Sequence, residues 1–298
     1  MGKSTDAGSS RDDLEAVDKE LWRHPGARAV RRIKNVRRVY DVWQGFAQPM
    51  DQLLASCETD EEAIVALTRN VGDRTAGEQL TRLLDQSLLA YVAGLVAVVD
   101  QSRPIVDLLS PANQKAAATR GAALLAAHPE AVFLAKLRNY VLHYLAAPWQ
   151  FAATFGEGQA LRGEISLESE QLLEYDGWST AKSYIRSAGP SIHIRPLIRP
   201  HFLATAEHTN WLLNTAWNDC ASEIEQANLL IMKRNLILTG GATDGHDWEA
   251  RVAHMHENTR RKDAGEPQTD FNTGLPLQNE SSLRGAGNVP HTRGSGPS

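Results

Sequence analysis

Apolar side chains recur at intervals of three and four residues along most of this chain, and that interval marks one face of an α-helix. The pattern predicts helices over residues 12–24, 76–101 and 129–147. The acidic residues before residue 63 predict the start of a helix over residues 63–70, and the alanine-rich segment after Pro111 predicts a helix over residues 112–127 by propensity. A further helix follows the break at Pro25-Gly26. Its apolar stripe consists of Ile33, Val36, Tyr40, Trp43 and Ala47. The sequence therefore predicts a mainly α-helical protein.

The second half of the chain departs from this pattern in places. Residues 150–155 and 161–167 flank Gly156-Glu157-Gly158 and predict a small β-hairpin, which needs a helical face to pack against. Short helices are expected over residues 167–173 and 179–187, and a last long helix over residues 200–236. Residues 192–198 are predicted to form an extended connector, because proline disfavours helical backbone at the residue before it.

The composition divides the chain into four parts. Residues 1–10 are small and polar and are expected to be disordered, and residues 11–74 form N-terminal helices. Residues 75–240 form the main helical domain. Residues 241–298 hold few aliphatic side chains and are expected to form a flexible tail, with a transient helix over residues 247–261.

Charge and cysteine content exclude some classes of protein. The formal net charge of −5 argues against a protein that coats nucleic acid indiscriminately. Cys57 and Cys220 are far apart and in no metal-ligand spacing, so neither a disulfide framework nor a zinc module is expected. The N-terminus lacks the apolar core of a signal peptide, and the longest apolar run, residues 88–99, is shorter than the roughly 20 residues of a membrane span. We therefore expect a cytoplasmic protein without a membrane partner.

The helix after Pro25 has an unusual charge pattern. Seven basic side chains and no acidic one lie between Arg23 and Arg38. Such a cationic face suits a surface that follows the phosphates of RNA, although a merely solvated face gives the same pattern. The candidate RNA-binding residues are Arg28, Arg31, Arg32, Lys34 and Arg38.

Three polar residues stand out on the apolar helix predicted over residues 129–147. Arg138, Asn139 and His143 bring a cation, an amide and an imidazole onto one helix, where burial would cost free energy without partners. Asn139 and His143 share a helix face. Arg138 lies about 140° around the axis from His143 and must reach across to join them.

These three side chains suit cleavage of RNA without a metal ion. A histidine can take a proton from a ribose 2′-hydroxyl or give one to the leaving oxygen near neutral pH. A guanidinium can hold a phosphate that gathers charge in the transition state, and an amide can orient it. One copy of the segment supplies a single proton-transfer group, whereas two copies facing each other would supply an acid and a base.

Arg138, the polar Asn139 directly after it, and His143 on a helix of a small helical domain resemble the motif of the HEPN superfamily. Catalytic members of that family are RNases of toxin, abortive-infection and CRISPR-associated systems, in which the motif helices of two protomers meet. The resemblance implies a HEPN-like helical bundle that acts as a homodimer on RNA with no cofactor or metal. Arg138, Asn139 and His143 would be its catalytic residues. It also implies a role in bacterial anti-phage defence or in a toxin–antitoxin system, with a possible cognate antitoxin or regulator as partner.

An arginine followed by a histidine after four to six intervening residues recurs elsewhere in the chain, so context selects Arg138 and His143. The other pairs span proline or lie in the polar tail: Arg186/His193, Arg195/His201, Arg251/His256 and Arg284/His291.

Other interpretations need no catalysis. A core histidine, with Arg138 paired to Glu130 or Glu164, would explain the same residues. The alternative function is a non-catalytic helical protein for dimerisation or partner binding. Trp211 and Trp217 are expected in the core or at a dimer interface. Several tail residues could ligate a metal but lack regular spacing, namely His246, Glu249, His254, His256 and Glu257.

Overall fold

The computed structural model describes residues 6–155, 160–238, 247–271 and 274–277. Over these residues the protein is mainly α-helical with one three-stranded antiparallel sheet, which confirms the predicted fold class. The chain separates into two compact units. One comprises residues 24–225, and the other comprises residues 1–23 together with residues 226–298.

Along the chain, the helices and strands are α1 (Asp6–Arg23), α2 (Pro25–Thr59), α3 (Glu61–Thr68), α4 (Thr75–Val106), α5 (Pro111–Ala127), α6 (Glu130–His143), β1 (Trp149–Thr154), β2 (Arg162–Glu168), α7 (Ser169–Leu173), a 3₁₀ turn (Asp176–Trp178), α8 (Ala181–Ser187), β3 (Ser191–His193), α9 (Arg195–Asp219), α10 (Ala221–Leu238) and α11 (Asp247–Asp263).

The core of the larger unit is built on the predicted apolar stripe of α2. Trp43 is fully buried, and its indole Nε1–H donates to the carbonyl oxygen of Tyr91 on α4 at 3.1 Å. The indole also packs against the rings of Tyr91 and Phe202, at centroid distances of 5.6 and 5.0 Å. Since Asn35 bonds Gln101 further along the same pair of helices, α2 and α4 run antiparallel. Residues of α2, α4 and α9 thus meet around one tryptophan.

The predicted hairpin forms, and a third strand joins it. Trp149 pairs with Leu167 and Thr154 with Arg162 across β1 and β2, and Ile192 of β3 pairs with Leu167. The tip of the hairpin, residues 156–159, lies outside the described residues. The expected extended connector over residues 192–198 is only in part correct, because α9 already begins at Arg195.

The prediction of one helix over residues 200–236 is wrong at both its start and its middle. Pro196 stands in the first turn of α9, where its missing N–H costs no helical hydrogen bond. The helix then ends at Asp219, whose carboxylate accepts from Ser110 N–H at 2.8 Å and from the Asn113 amide at 2.9 Å. These bonds anchor the end of α9 to the start of α5, and a second helix, α10, follows Cys220.

The N-terminus of α2 makes an unusually close backbone contact. A Cβ atom placed on Gly26 would lie 1.8 Å from the carbonyl oxygen of Glu223 in the first turn of α10. Only glycine permits this approach, so the Pro25-Gly26 pair serves packing as well as helix initiation.

The smaller unit is also helical where it is described. Asp18 of α1 forms an ion pair with Arg234, and the Asn258 side chain of α11 bonds both the N–H and the carbonyl of Thr269 at 2.8 and 2.7 Å. Helix α1 begins at Asp6, inside the segment expected to be disordered, while residues 1–5 lie outside the described residues. Helix α11 covers the residues for which a transient helix was expected, inside the segment predicted to be a flexible tail.

Among the described helices, α4 is long and apolar enough to cross a membrane, by length and composition alone. It also carries the fully buried Leu84, Leu88 and Tyr91 of the core. A core helix passes the same test, so its composition does not assign α4 to a membrane.

Candidate active site

Helix α6, which carries Arg138, Asn139 and His143, is fixed by the apolar side chains on its other face. Phe133 and Tyr140 are fully buried and stack on Trp178 at centroid distances of 5.5 Å each. Leu134 and Leu137 complete the buried stripe. The i, i+3, i+4 spacing that predicted the helix is therefore the spacing of its buried face.

Helix α6 ends four residues earlier than predicted, at His143 rather than near Ala147. The amides of Tyr144 and Leu145 both donate to the carbonyl of Tyr140, at 3.0 and 3.3 Å, which closes the helix with a wide final turn. The Tyr144 ring then packs on the rings of Tyr140 and Tyr175, at 5.5 and 5.3 Å. As a result His143 stands at the helix end, next to a loop, and not in the middle of a helix.

The three motif side chains lie at the surface of the larger unit. Arg138 and Asn139 are half-buried, and His143 is exposed. Nη1 of Arg138 lies 3.4 Å from Oδ1 of Asn139, a long hydrogen bond. The guanidinium thus reaches toward the side of α6 that Asn139 shares with His143, as the sequence required.

In the described part of the chain, Arg138 and His143 lack the partners that a role in the core would require. Within the described residues, no ion pair reaches Arg138 and no hydrogen bond reaches the His143 ring. Glu130 instead pairs with His128, through Nδ1 and Oε1 at 2.8 Å. The proposed pairings of Arg138 with Glu130 or Glu164 are not found in the described part of the chain.

Exposed apolar side chains flank His143 in the sequence. Leu142, Tyr144 and Leu145 are 42%, 44% and 43% exposed. Together with His143 they form what we call the α6 end patch, residues 142–145.

The basic side chains of α2 form a separate surface. Arg28, Arg31, Arg32, Lys34 and Arg38 are all exposed, as predicted for a cationic face. Arg37 is the inward member of the run, donating to Asn210 Oδ1 at 2.6 Å. Arg38 bonds only Asn35, at 3.3 Å, among the described residues.

The basic face and the α6 motif make different hydrogen bonds. Arg38 of the basic face bonds Asn35, and Asn35 also bonds Gln101 of α4 at 3.0 Å. Arg138 of α6 bonds Asn139. The two sets of residues are therefore treated as two surfaces of the larger unit.

The structure also assembles a buried polar cluster that the sequence did not reveal. His201 of α9 is buried, with Nδ1 3.1 Å from the Tyr91 hydroxyl and its ring 6.5 Å from that of His128. Glu130, itself buried, bonds His128. Because residues 91, 128–130 and 201 come from distant segments, only their proximity in the fold marks them as a group.

Burial governs the protonation of this cluster. Burial lowers the pKa of His201 to about 4, an effect that the nearby Glu130 carboxylate opposes and His128 reinforces. Burial also raises the pKa of Tyr91 well above its usual range. His201 is therefore neutral and shielded at pH 7, which suits a structural role and not proton transfer to a substrate.

This cluster predicts a loss of stability in mild acid. Between the unfolded pKa of 6.5 and the folded pKa of about 4, the unfolded chain binds a proton that the folded chain does not. The free energy of unfolding is therefore expected to decline as pH falls from 6.5 to 4, by about 3 kcal/mol at most from this group. Urea unfolding across that range checks it, with His201→Gln expected to flatten the decline. An identical decline in the variant would show that other groups cause it.

Neither the cysteines nor the tail histidines offer an obvious reactive centre. Burial is the main cause that raises the pKa of Cys57 to about 11, and the negative charges of Asp60 and Glu58 add to it. The thiol therefore stays protonated. In the described part of the chain, no group of three or more His, Cys, Asp or Glu side chains could hold a metal ion. His254 contacts Thr269 at 3.0 Å, and hydrogen bonds from Arg260 and Arg261 lower the pKa of Glu257 to about 2. His246 lies outside the described residues.

Comparison with known proteins gives no match: no family model, no curated protein and no solved structure is similar to this chain. Any functional conclusion therefore depends on the geometry of α6 and on the resemblance of its motif.

Proposed function

We propose that this protein is a metal-independent endoribonuclease of the HEPN type, whose active site forms where the α6 helices of two copies meet. One observation carries the proposal. The Arg138 guanidinium lies 3.4 Å from Asn139 Oδ1, on the side of α6 toward the exposed His143, which has no hydrogen-bond partner among the described residues.

In the proposed reaction the two histidines divide the proton transfers. His143 of one copy takes the proton from a ribose 2′-hydroxyl, whose oxygen attacks the adjacent phosphorus. The bond from phosphorus to the leaving 5′-oxygen breaks, and that oxygen receives a proton from the second His143. Arg138 holds the phosphate oxygens as charge gathers on them, and Asn139 positions the guanidinium.

The α6 end patch supports assembly of two copies at this site. Leu142, Tyr144 and Leu145 flank His143 and leave apolar surface in water, which association would bury. A two-fold interface places the same residues of both copies opposite each other, so two imidazoles would meet. An interface at these residues would therefore complete the catalytic pair.

The exposed basic face of α2 is proposed to bind the RNA backbone. We expect RNA binding to weaken when Gln replaces all four of Arg28, Arg32, Lys34 and Arg38. The slope of log affinity against log salt concentration should become less steep by about 3, because each phosphate contact on a single strand contributes ~0.7. Filter binding at several salt concentrations measures the slope. The matched control replaces four other exposed basic side chains, Arg69, Arg74, Arg82 and Lys115. Equal effects of the two sets would contradict a dedicated RNA surface.

The test of the proposed function is cleavage of RNA by the purified protein in excess EDTA. We expect cleavage that chelation does not reduce, and growth arrest when the protein is expressed in bacteria. The role in anti-phage defence or in a toxin–antitoxin pair and the cognate antitoxin or regulator come from the motif resemblance alone. The proposed cytoplasmic location comes from the sequence of the N-terminus and from the length of the apolar runs. Dimers that bind partners but never cleave RNA would favour the non-catalytic alternative.

A further inference from the structure

A cavity of about 390 Å³ lies between α4, α5, α6 and α9 of the larger unit. Aliphatic side chains of all four helices line it, among them Leu95, Leu124, Val132 and Leu212. Its volume falls within the roughly 300–1,000 Å³ of small-molecule sites, which are mostly apolar with a few placed polar groups. The cavity contacts neither Arg138 nor His143, so it is distinct from the proposed active site.

Small residues keep this cavity open. Gly121 of α5 and Ala131 and Ala135 of α6 lie in its wall. A Cβ atom added at Gly121 would meet nothing within 4 Å. Glycine inside a helix is less stable than alanine, and neither close packing nor a positive φ explains the glycine at position 121.

Two polar atoms of the lining residues lack hydrogen bonds. Ser102 Oγ and His208 Nδ1 are buried with no partner in the described residues. A buried polar group without a hydrogen bond destabilises the folded state, so each such group calls for an explanation. The Ser102 hydroxyl can rotate to meet a bound group at little cost.

The charged side chains that line the cavity are both basic. Arg103 and Lys136 line it, and no acidic residue does. Arg103 is paired with Asp100 at 3.0 Å, at the exposed surface. Lys136 is half-buried and has no ion pair among the described residues. A cation beside an apolar cavity is complementary to an anion that carries an apolar body.

The geometry points to a binding site for a small amphipathic carboxylate, of the medium-chain fatty acid type. The apolar chain fills the space between α4, α5, α6 and α9. The carboxylate lies at Lys136 and Arg103, where the adjacent Ser102 hydroxyl donates to it. This assignment is independent of the proposed ribonuclease function.

The experiment is a titration of the 298-residue chain with decanoate by isothermal calorimetry. The decanoate concentration is kept below the point at which decanoate forms micelles. Saturable binding of one decanoate per chain is expected, with decanol bound at least tenfold more weakly. Lys136→Met should remove the advantage of decanoate over decanol and leave decanol binding unchanged. The matched control is Lys115→Met, an exposed lysine of α5 that does not line the cavity.

A second pair of variants separates occupation of the cavity from binding elsewhere. Gly121→Leu should fill the cavity and weaken decanoate binding more than tenfold, with a thermal midpoint no lower than that of the wild type. Gly45→Leu, at a helical glycine with equally open space but outside the cavity, should bind normally. If Gly121→Leu does not fold, Ala135→Leu fills the same wall. Failure of decanoate to saturate, equal binding of decanol, or full binding by the filled variants would each overturn the assignment.

Discussion

His143→Ala is expected to lower the rate of RNA cleavage by roughly 10²–10⁴-fold, the usual contribution of a positioned proton-transfer group. In the proposed composite site the substitution removes both the acid and the base, so the loss should lie at the upper end of that range. Cleavage of a labelled RNA in EDTA under single-turnover conditions measures it. Because His143 is exposed, the free energy of unfolding should change by about 0.5 kcal/mol or less.

The control for this variant is His193→Ala. His193 is also exposed and follows Arg186 at a motif-like spacing, but it lies on β3. Its substitution should leave cleavage unchanged. An equal loss of cleavage in the two variants, or undiminished cleavage by His143→Ala, would contradict a role of α6 in the reaction.

Trp43→Ala is expected to destabilise the larger unit by roughly 3–5 kcal/mol, the typical cost of deleting a buried aromatic side chain. The indole is 0% exposed and packs between α4 and α9. Its removal leaves a cavity and deletes the hydrogen bond from the indole to the Tyr91 carbonyl. Chemical denaturation followed by far-ultraviolet circular dichroism checks the loss.

Trp217→Ala serves as the comparison, because Trp217 is 43% exposed. Trp217→Ala should lower the free energy of unfolding by well under half as much as Trp43→Ala, because Trp217 removes less apolar surface from water on folding. Similar losses for the two tryptophans would contradict the central place of Trp43 in the core.

The helices that the sequence predicted well are those bounded by proline, glycine or acidic first turns. The Pro25-Gly26 break, the acids before residue 63 and the proline at 111 each begin a helix close to the predicted residue. These signals act within a few residues, so they can be read without the fold. The buried stripe of α2, including Trp43, was predicted for the same reason.

The errors occurred where distant segments decide the backbone. Asp219 ends α9 because its carboxylate binds Ser110 and Asn113, a contact between residues more than a hundred positions apart. Strand β3 forms by pairing with β2, and Tyr144 leaves α6 to pack on Tyr175. Local propensity carries no information about such partners.

The sequence predicted which helix carries the three candidate residues but not the surroundings of those residues. The sequence placed Arg138, Asn139 and His143 on one helix, whereas the exposure of His143 depends on the early end of α6. The buried cluster of His201 and Glu130 arises only when α4, α6 and α9 come together.

A shared site between two α6 helices is tested most directly by the activity of a mixed dimer. Wild-type and His143→Ala chains with different tags are expressed together, and the mixed dimer is purified through both tags and assayed on RNA in EDTA. We expect less than a tenth of the wild-type rate, because each proposed site needs both imidazoles. Half of the wild-type rate, or full activity in a monomer, would contradict a shared site.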